Sequence, residues 1–261
     1  MLFTLTTDFG AGSGHPAQVK AVLLSAIPDA RIVDVSHEVP RHDVLAGALL
    51  LEACLPWFPA QAVHVAVVDP GVGTARRALC LSGPGGTTFV APDNGLLTPF
   101  LGEGARVFAI EPGRAVPAPR SATFHGRDLF APAAAFVAKG GDPGALGPPV
   151  ADAVRLAWPA ANCHGAEIVG ETLTADSFGN LVTSIREGDL GGAPVVEVEA
   201  AGRRVRWVAT YGEAAPGELL ALVGSGGRVE VSVREGSAAA VLGRVRGLSV
   251  RVILGRARGA C

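Results

Sequence analysis

The stretch Val67-Val68-Asp69-Pro70-Gly71-Val72-Gly73-Thr74-Ala75-Arg76-Arg77 decides how the first half of the chain is read. An apolar run that begins at Val65 ends on a carboxylate, turns at once through Pro and Gly, and then presents a pair of arginines. Asp-Pro-Gly is good turn chemistry by itself, since Pro presets φ and Gly admits the left-handed region. A buried strand whose first polar residue stands at its C-terminal tip is also where α/β sheets place their chemistry. On this stretch alone, a solvated turn and a strand-tip site are both open.

Outward toward the N-terminus, Asp43 to Leu55 repeats apolar residues at helical spacing (Val44, Leu45, Ala48, Leu51, Leu55) behind a capping Asp. Before it, Arg31 to Val35 reads as a strand, Pro16 to Ala26 as a helix with Pro in its first turn, and Leu2 to Thr7 as the first strand. Toward the C-terminus come strands at His64 to Val68, Ala78 to Leu81, Thr88 to Ala91 and Val107 to Ile110, then a helix from Asp128 to Lys139. Strands alternating with helices predict an α/β domain over residues 1–150, its mostly parallel sheet covered on both faces.

The segment Gly140 to Pro149, GGDPGALGPP, breaks this rhythm and reads as a linker. Beyond it, short period-two runs follow one another: Glu167 to Val169, Val195 to Glu199, Val205 to Ala209, Leu219 to Val223, Val229 to Val233 and Leu248 to Ile253. They predict a smaller antiparallel β domain over residues 151–261, a barrel or a sandwich.

Hydrophobic residues make up 49% of the 261-residue chain and charged ones 18%, which gives a globular protein with a sizeable core. A formal charge of -2 leaves no electrostatic footprint for nucleic acid or an anionic membrane. Cys54, Cys80, Cys163 and Cys261 have no CxxC spacing and read as small buried hydrophobes, the last on a frayed terminus. The opening MLFTLTTDFG lacks a basic leader region and no apolar run approaches a membrane span, so a soluble cytoplasmic protein is expected.

Four polar islands stand at the ends of apolar runs: Thr6-Thr7-Asp8-Phe9-Gly10, the opening stretch, Ser121-Ala122-Thr123-Phe124-His125-Gly126-Arg127-Asp128, and Asp176-Ser177-Phe178-Gly179-Asn180. After the first, GAGSGH imitates a dinucleotide fingerprint, with Asp34 at a suitable distance for a ribose. It fails in detail, because the third glycine position falls on His15 and Thr7 and Asp8 interrupt the strand. Asp8 suits a strand-tip carboxylate receiving a sugar diol, or a cap. His125 stands just before a helix start, and Arg127 with Asp128 reads as a local ion pair and cap. His37, His42 and Asp93-Asn94-Gly95 are loop residues that could also line a cleft. Gly224-Ser225-Gly226-Gly227 lacks the ending of a phosphate loop and reads as a strand-to-strand turn. No HxH, HExxH or DxD pattern supports a metal site.

Taken together and in this order, TTDFG, IPDARIVDVSHEVP, VVDPGVGT, APDNGLL, TFHGRD, FGNLVTSI and TYGEAAPGELLALVGSGG resemble the adenosine-forming S-adenosylmethionine (SAM) hydrolases, or SAM hydroxide adenosyltransferases, relatives of the fluorinase and chlorinase. The match runs through nearly the whole chain. It implies a larger N-terminal α/β domain, a smaller C-terminal β domain, and homotrimers that bind SAM between one subunit's N-terminal domain and its neighbour's C-terminal domain. It further implies that Asp69, Arg76 and His125 surround an attacking water, with Arg77 outside the triad. Asp8 would then accept the ribose hydroxyls, Asn180 meet the adenine edge, and Phe124 and Phe178 supply apolar walls. Asp176 would hold the methionine ammonium and Ser225, with backbone donors, the carboxylate. No cofactor or metal is implied, since SAM is the substrate. A halide-using relative giving a 5′-halo-5′-deoxyadenosine, and a SAM- or adenosine-binding protein without turnover, are the competing readings.

Overall fold

The computed structural model describes residues 1–255, which form two compact units, the first Met1–Trp158 and the second beginning at Pro159. Cys261 lies outside the described residues.

The first unit is built on a six-stranded sheet: β1 (Leu2–Thr7), β2 (Arg31–Ser36), β3 (Val63–Val67), β4 (Ala78–Ser82), β5 (Thr88–Pro92) and β6 (Arg106–Ala109), in the order β2-β1-β3-β5-β4-β6. β2, β1, β3 and β5 run parallel; β4 is antiparallel to both its neighbours. Successive side chains of β3 leave by opposite faces, and both faces are covered. Val63, Val65 and Val67 join a core with Val19 and Leu23 of α1 (His15–Ala26) and with Phe130, Ala131 and Ala134 at α3 (Ala131–Ala138). Ala66 and Val68 join another with Ala48 and Leu51 of α2 (Val44–Cys54). Each buried Leu or Val contributes roughly 1.5–3 kcal/mol of transfer free energy, so this double coverage fixes the register of the central strands. Asp43 caps α2 by accepting a bond from the Ala46 N–H at 2.9 Å.

Residues 140–149 are not a linker. Gly144 is capped by Asp142 within a short 3₁₀ turn, and the chain then runs along β6, Ala109 N–H donating to Pro148 O and Val150 N–H to Val107 O. The turn-rich composition was misleading because a chain beside a sheet edge satisfies its backbone without strand-like side chains. Among the cysteines, Cys80 is buried, its thiol pushed up to about 12 by desolvation, whereas Cys163 is exposed and Cys54 only half-buried.

In the second unit seven strands close on themselves: β8 (Glu167–Ala175), β9 (Leu181–Arg186), β13 (Arg228–Val233), β12 (Leu219–Val223), β11 (Arg203–Trp207), β10 (Val195–Ala200) and β14 (Ser249–Leu254), which returns to β8. Short β7 (Asn162–His164) is added beside β8. All pairs are antiparallel except β11 with β12. Closure removes the exposed edges that a sandwich of such short strands would leave, and it decides between the two expected architectures. Helix α4 (Ala238–Leu242) is capped by Ser237.

Candidate active site

β1 and β3 are neighbours in register, Thr7 opposite Val67, so Asp8 and Asp69 leave the same sheet edge at the C-terminal ends of parallel strands. Past Asp69 the chain makes consecutive turns that its own residues close: Val72 N–H donates to Asp69 O, Thr74 Oγ1 to Gly71 O at 2.7 Å, and Arg76 N–H to Thr74 Oγ1. Gly73 has φ +77°, and a Cβ there would stand 2.8 Å from Ala122 O. Its missing side chain is what lets this loop approach the loop that carries His125.

The two loops meet at Arg76. Its Nε donates to Asp69 Oδ1 at 2.9 Å and Oδ2 at 3.0 Å, and Nη2 donates both to Asp69 Oδ2 and to His125 Nδ1, the latter at 2.9 Å. The guanidinium lies over the Phe130 ring, 5.3 Å from its centroid. Asp69 is 9% exposed, so this is a nearly dry ion pair. Arginine has only donors, so the Nδ1 lone pair of His125 must be the acceptor, and the neutral imidazole carries its proton on Nε2. Burial, and then the charge of Arg76, push His125 below the ordinary imidazole range, against the opposing pull of Asp69 and Asp128. His125 is thereby held as a neutral donor. It stands where one π-helical turn, Gly126–Phe130, leads into α3.

Behind it, Asp128 pairs with Arg127 Nε at 2.7 Å, the expected ion pair, but it does not cap the helix: it accepts from Ser121 N–H at 2.8 Å, before the helix start, and so pins the preceding loop instead. Phe124 is 8% exposed and sits edge-on to Phe9 and His15, at 5.6 and 4.8 Å, so most of its ring belongs to the core. Asp8 Oδ2 accepts from His42 N–H at 2.9 Å, and Oδ1 has no hydrogen-bond partner among the described residues. That donor is aimed by a left-handed His42, φ 65°, a backbone state costly for a residue with a Cβ. Gly10 N–H donates to His37 O, while Thr7 Oγ1 meets His37 Nδ1 at 2.8 Å, which fixes the β1 tip.

In the second unit, Asp176, Phe178, Asn180 and Ser225 line one cleft of about 490 Å³. Asp176 Oδ1 accepts the Phe178 and Asn180 N–H groups and Oδ2 accepts Asn180 Nδ2 at 2.8 Å, an Asx turn that orients Asn180. Phe178 is 76% exposed. The same cleft contains Tyr211 and Glu230, which sequence reasoning missed. Tyr211 donates to Glu230 Oε2 at 2.9 Å, and burial raises the Glu230 carboxyl. The available signal was a carboxylate inside the strand Arg228–Val233, every residue of which is buried. Among the described residues no group of three His, Cys, Asp or Glu side chains could hold a metal ion, and no helix is long and apolar enough to cross a membrane.

An α/β unit with an interlocked Asp–Arg–His cluster at its strand tips, joined to a closed β-barrel with a polar cleft, defines a class of two-domain enzymes. Residues 3–147 match the SAM hydroxide adenosyltransferase N-terminal domain and residues 170–251 the C-terminal domain. The chain belongs to that family. It is 45% identical over 241 residues to the (R)-S-adenosyl-L-methionine hydrolase of Thermus thermophilus, covering 89% of this chain and 91% of the relative. A fluorinase of Actinoplanes sp. is more distant, at 29% identity and 72% and 73% coverage. The crystal structure of an uncharacterized conserved protein from Thermotoga maritima superposes with a TM-score of 0.86 at 31% identity, covering 97% of this chain and all of the other.

Proposed function

We propose that the protein hydrolyses S-adenosyl-L-methionine to adenosine and methionine by in-line attack of water on C5′, and that Asp69, Arg76 and His125 direct that water. The observation that carries this reading is Arg76 donating at once to Asp69 and His125 where two loops meet at the sheet edge.

The substrate's sulfonium departs as a neutral thioether, taking the C5′–S electron pair, so the leaving group needs no acid. The water needs placement and somewhere to lose its proton as the O–C5′ bond forms. Asp69 supplies the acceptor. His125, with Nδ1 committed to Arg76, presents Nε2–H as a donor and so orients the water oxygen without taking its proton. Positioned general-base help is worth roughly 10²–10⁴ in rate, and alignment of attacking and leaving atoms on the order of 7–11 kcal/mol at best. Alignment dominates, which agrees with a cluster locked by its own hydrogen bonds.

Asp8, through Oδ1, receives the ribose hydroxyls. Asn180, Phe124 and Phe178 frame the adenine, Asp176 takes the ammonium, and Ser225 with the backbone of its turn takes the carboxylate. The exposure of Phe178 supports a homotrimer in which each barrel cleft completes a neighbour's site. No cofactor or metal enters this scheme, and the cytoplasm, where SAM is made and used, is the setting it fits.

Incubating the purified protein with SAM and identifying the products by chromatography tests the reading. Adenosine and methionine are expected, and their absence, with SAM bound but intact, would leave a binding protein instead. Halide transfer is disfavoured by hydrogen bonding more than by charge. Two negative charges about 4 Å apart repel by roughly 4 kcal/mol at an effective dielectric of ~20, but the Arg76 guanidinium paired with Asp69 offsets part of that repulsion. What decides the order is that a water donates a hydrogen bond to Asp69 and a bare halide offers none.

A further inference from the structure

We propose that the Asp93–Asn94 turn is a positioning element for the reaction, holding Asp69 and Arg76 in their interlocked geometry from behind. The idea rests on the triad reading above but uses residues outside it. Asn94 Nδ2 donates at 2.8 Å to the carbonyl of Val68, the residue before Asp69. Asp93 Oδ2 accepts from Arg77, the residue after Arg76, through Nε at 2.7 Å and Nη2 at 2.6 Å.

The backbone closes the same loop, Asp93 N–H donating to Arg77 O at 2.9 Å. That Arg77 carbonyl also receives Arg76 Nη1 at 3.4 Å, so the turn is linked to the Arg76 guanidinium through one shared acceptor. One short turn therefore grips both ends of the ten-residue segment 68–77, within which the two reactive side chains must meet. Asp93 is nearly fully buried, and its other oxygen accepts Val154 N–H at 2.8 Å, while Arg77 Nη1 holds Asp152 at 2.7 Å. The turn is itself fixed by packing, since a Cβ at Gly95 would stand 2.7 Å from the Leu156 side chain. A plain turn needs none of the three side-chain bonds to Val68, Arg77 and Val154.

Asn94→Ser separates the two roles. A serine hydroxyl can still accept the Leu96 N–H that Asn94 Oδ1 now accepts at 3.2 Å, so the turn survives, but it offers no donor long enough for Val68 O. The expected result is a fall in kcat of about 10- to 100-fold with KM for SAM little changed, the pattern of lost alignment. Asp93→Asn, which keeps an acceptor for Val154 while discharging the Arg77 pair, should give a smaller fall of the same kind and serves if the serine variant does not fold.

A second readout does not depend on turnover. The charged groups facing His125 are Arg76, Asp69 and Asp128. Loosening Arg76 should move the His125 titration, followed by NMR and assigned with a His125→Asn variant, upward toward the ordinary imidazole range. Wild-type kcat with an unmoved His125 titration in the folded serine variant would overturn the proposal. If instead the unmodified protein makes no adenosine, the hydrolase reading fails, and the His125 titration still decides whether this turn positions Arg76.

Discussion

The strand-tip cluster of the first unit and the cleft of the second differ in what holds them. Asp69, Arg76 and His125 come from two loops and are bound to one another, so each side chain's position depends on the other two. Asp176 and Asn180 come from a single five-residue turn and are bound within it, while Phe178 between them points into open surroundings. The first arrangement is locked by its own hydrogen bonds, which suits the proposed alignment of a reacting water. In the second, Asn180 is oriented and buried while Phe178 is exposed, which suits the proposed role of closing over a bound substrate.

The contrast breaks most readily at Asp69. Asp69→Asn should lower adenosine formation by about 10²–10⁴ while calorimetry finds SAM affinity within a few fold, because the carboxylate serves the water. Comparable losses from Asp176→Asn would erase the distinction between a reacting and a binding region.

Acid should separate the two units next. His64, wedged between Phe58 and Phe89 with Nδ1 2.7 Å from Thr4 Oγ1, has its imidazole pushed by burial from 6.5 to about 4. An unfolded chain takes up this proton as pH falls through 6.5 and the folded unit does not, so stability is full above 6.5 and falls toward pH 4. The loss amounts to at most about 3 kcal/mol. Glu230 in the barrel is shifted the other way: its raised carboxyl contributes at low pH and loses that contribution as pH rises. Thermal unfolding of His64→Gln should show a flatter dependence between pH 6.5 and 4 than the unmodified protein.

Asp8→Ala should weaken SAM binding by roughly 1.5–3 kcal/mol, the scale of hydrogen bonds to a charged group, with a smaller effect on turnover at saturation. Wild-type affinity would make Asp8 only the anchor of the His42 loop. The smallest effect belongs to Phe178→Ala, whose melting temperature should stay near wild type, consistent with surface substitutions within about 0.5 kcal/mol, while SAM affinity drops severalfold.

These same differences governed what the sequence revealed. The unbroken apolar run Val65 to Val68 ends on Asp69, and the short strand Leu2–Thr7 leads straight into Asp8, so both the parallel sheet and the positions of Asp8 and Asp69 could be read directly. The barrel was harder. β9 carries Thr183 and Ser184 fully buried, Thr183 Oγ1 donating to Val229 O at 2.7 Å, so its polar residues hid a strand behind the FGNLVTSI motif. β8 was expected only to Val169 and continues to Ala175, beyond a Gly-Glu pair that looks like a turn. Glu230 escaped notice because its partner, Tyr211, is nineteen residues away. The positioning role of Asn94 depends on its bond to Val68 O, a contact between the C-terminal ends of β3 and β5 that no spacing encodes.

The central claim is that Asp69, Arg76 and His125 deliver water, and nothing else, to C5′. The most direct test is to incubate the protein with SAM in oxygen-18-labelled water containing molar chloride and analyse both products by mass spectrometry. The account predicts one labelled oxygen in adenosine, none in methionine, and no chlorinated nucleoside. Unlabelled adenosine, or 5′-chloro-5′-deoxyadenosine from the unmodified protein, would contradict it.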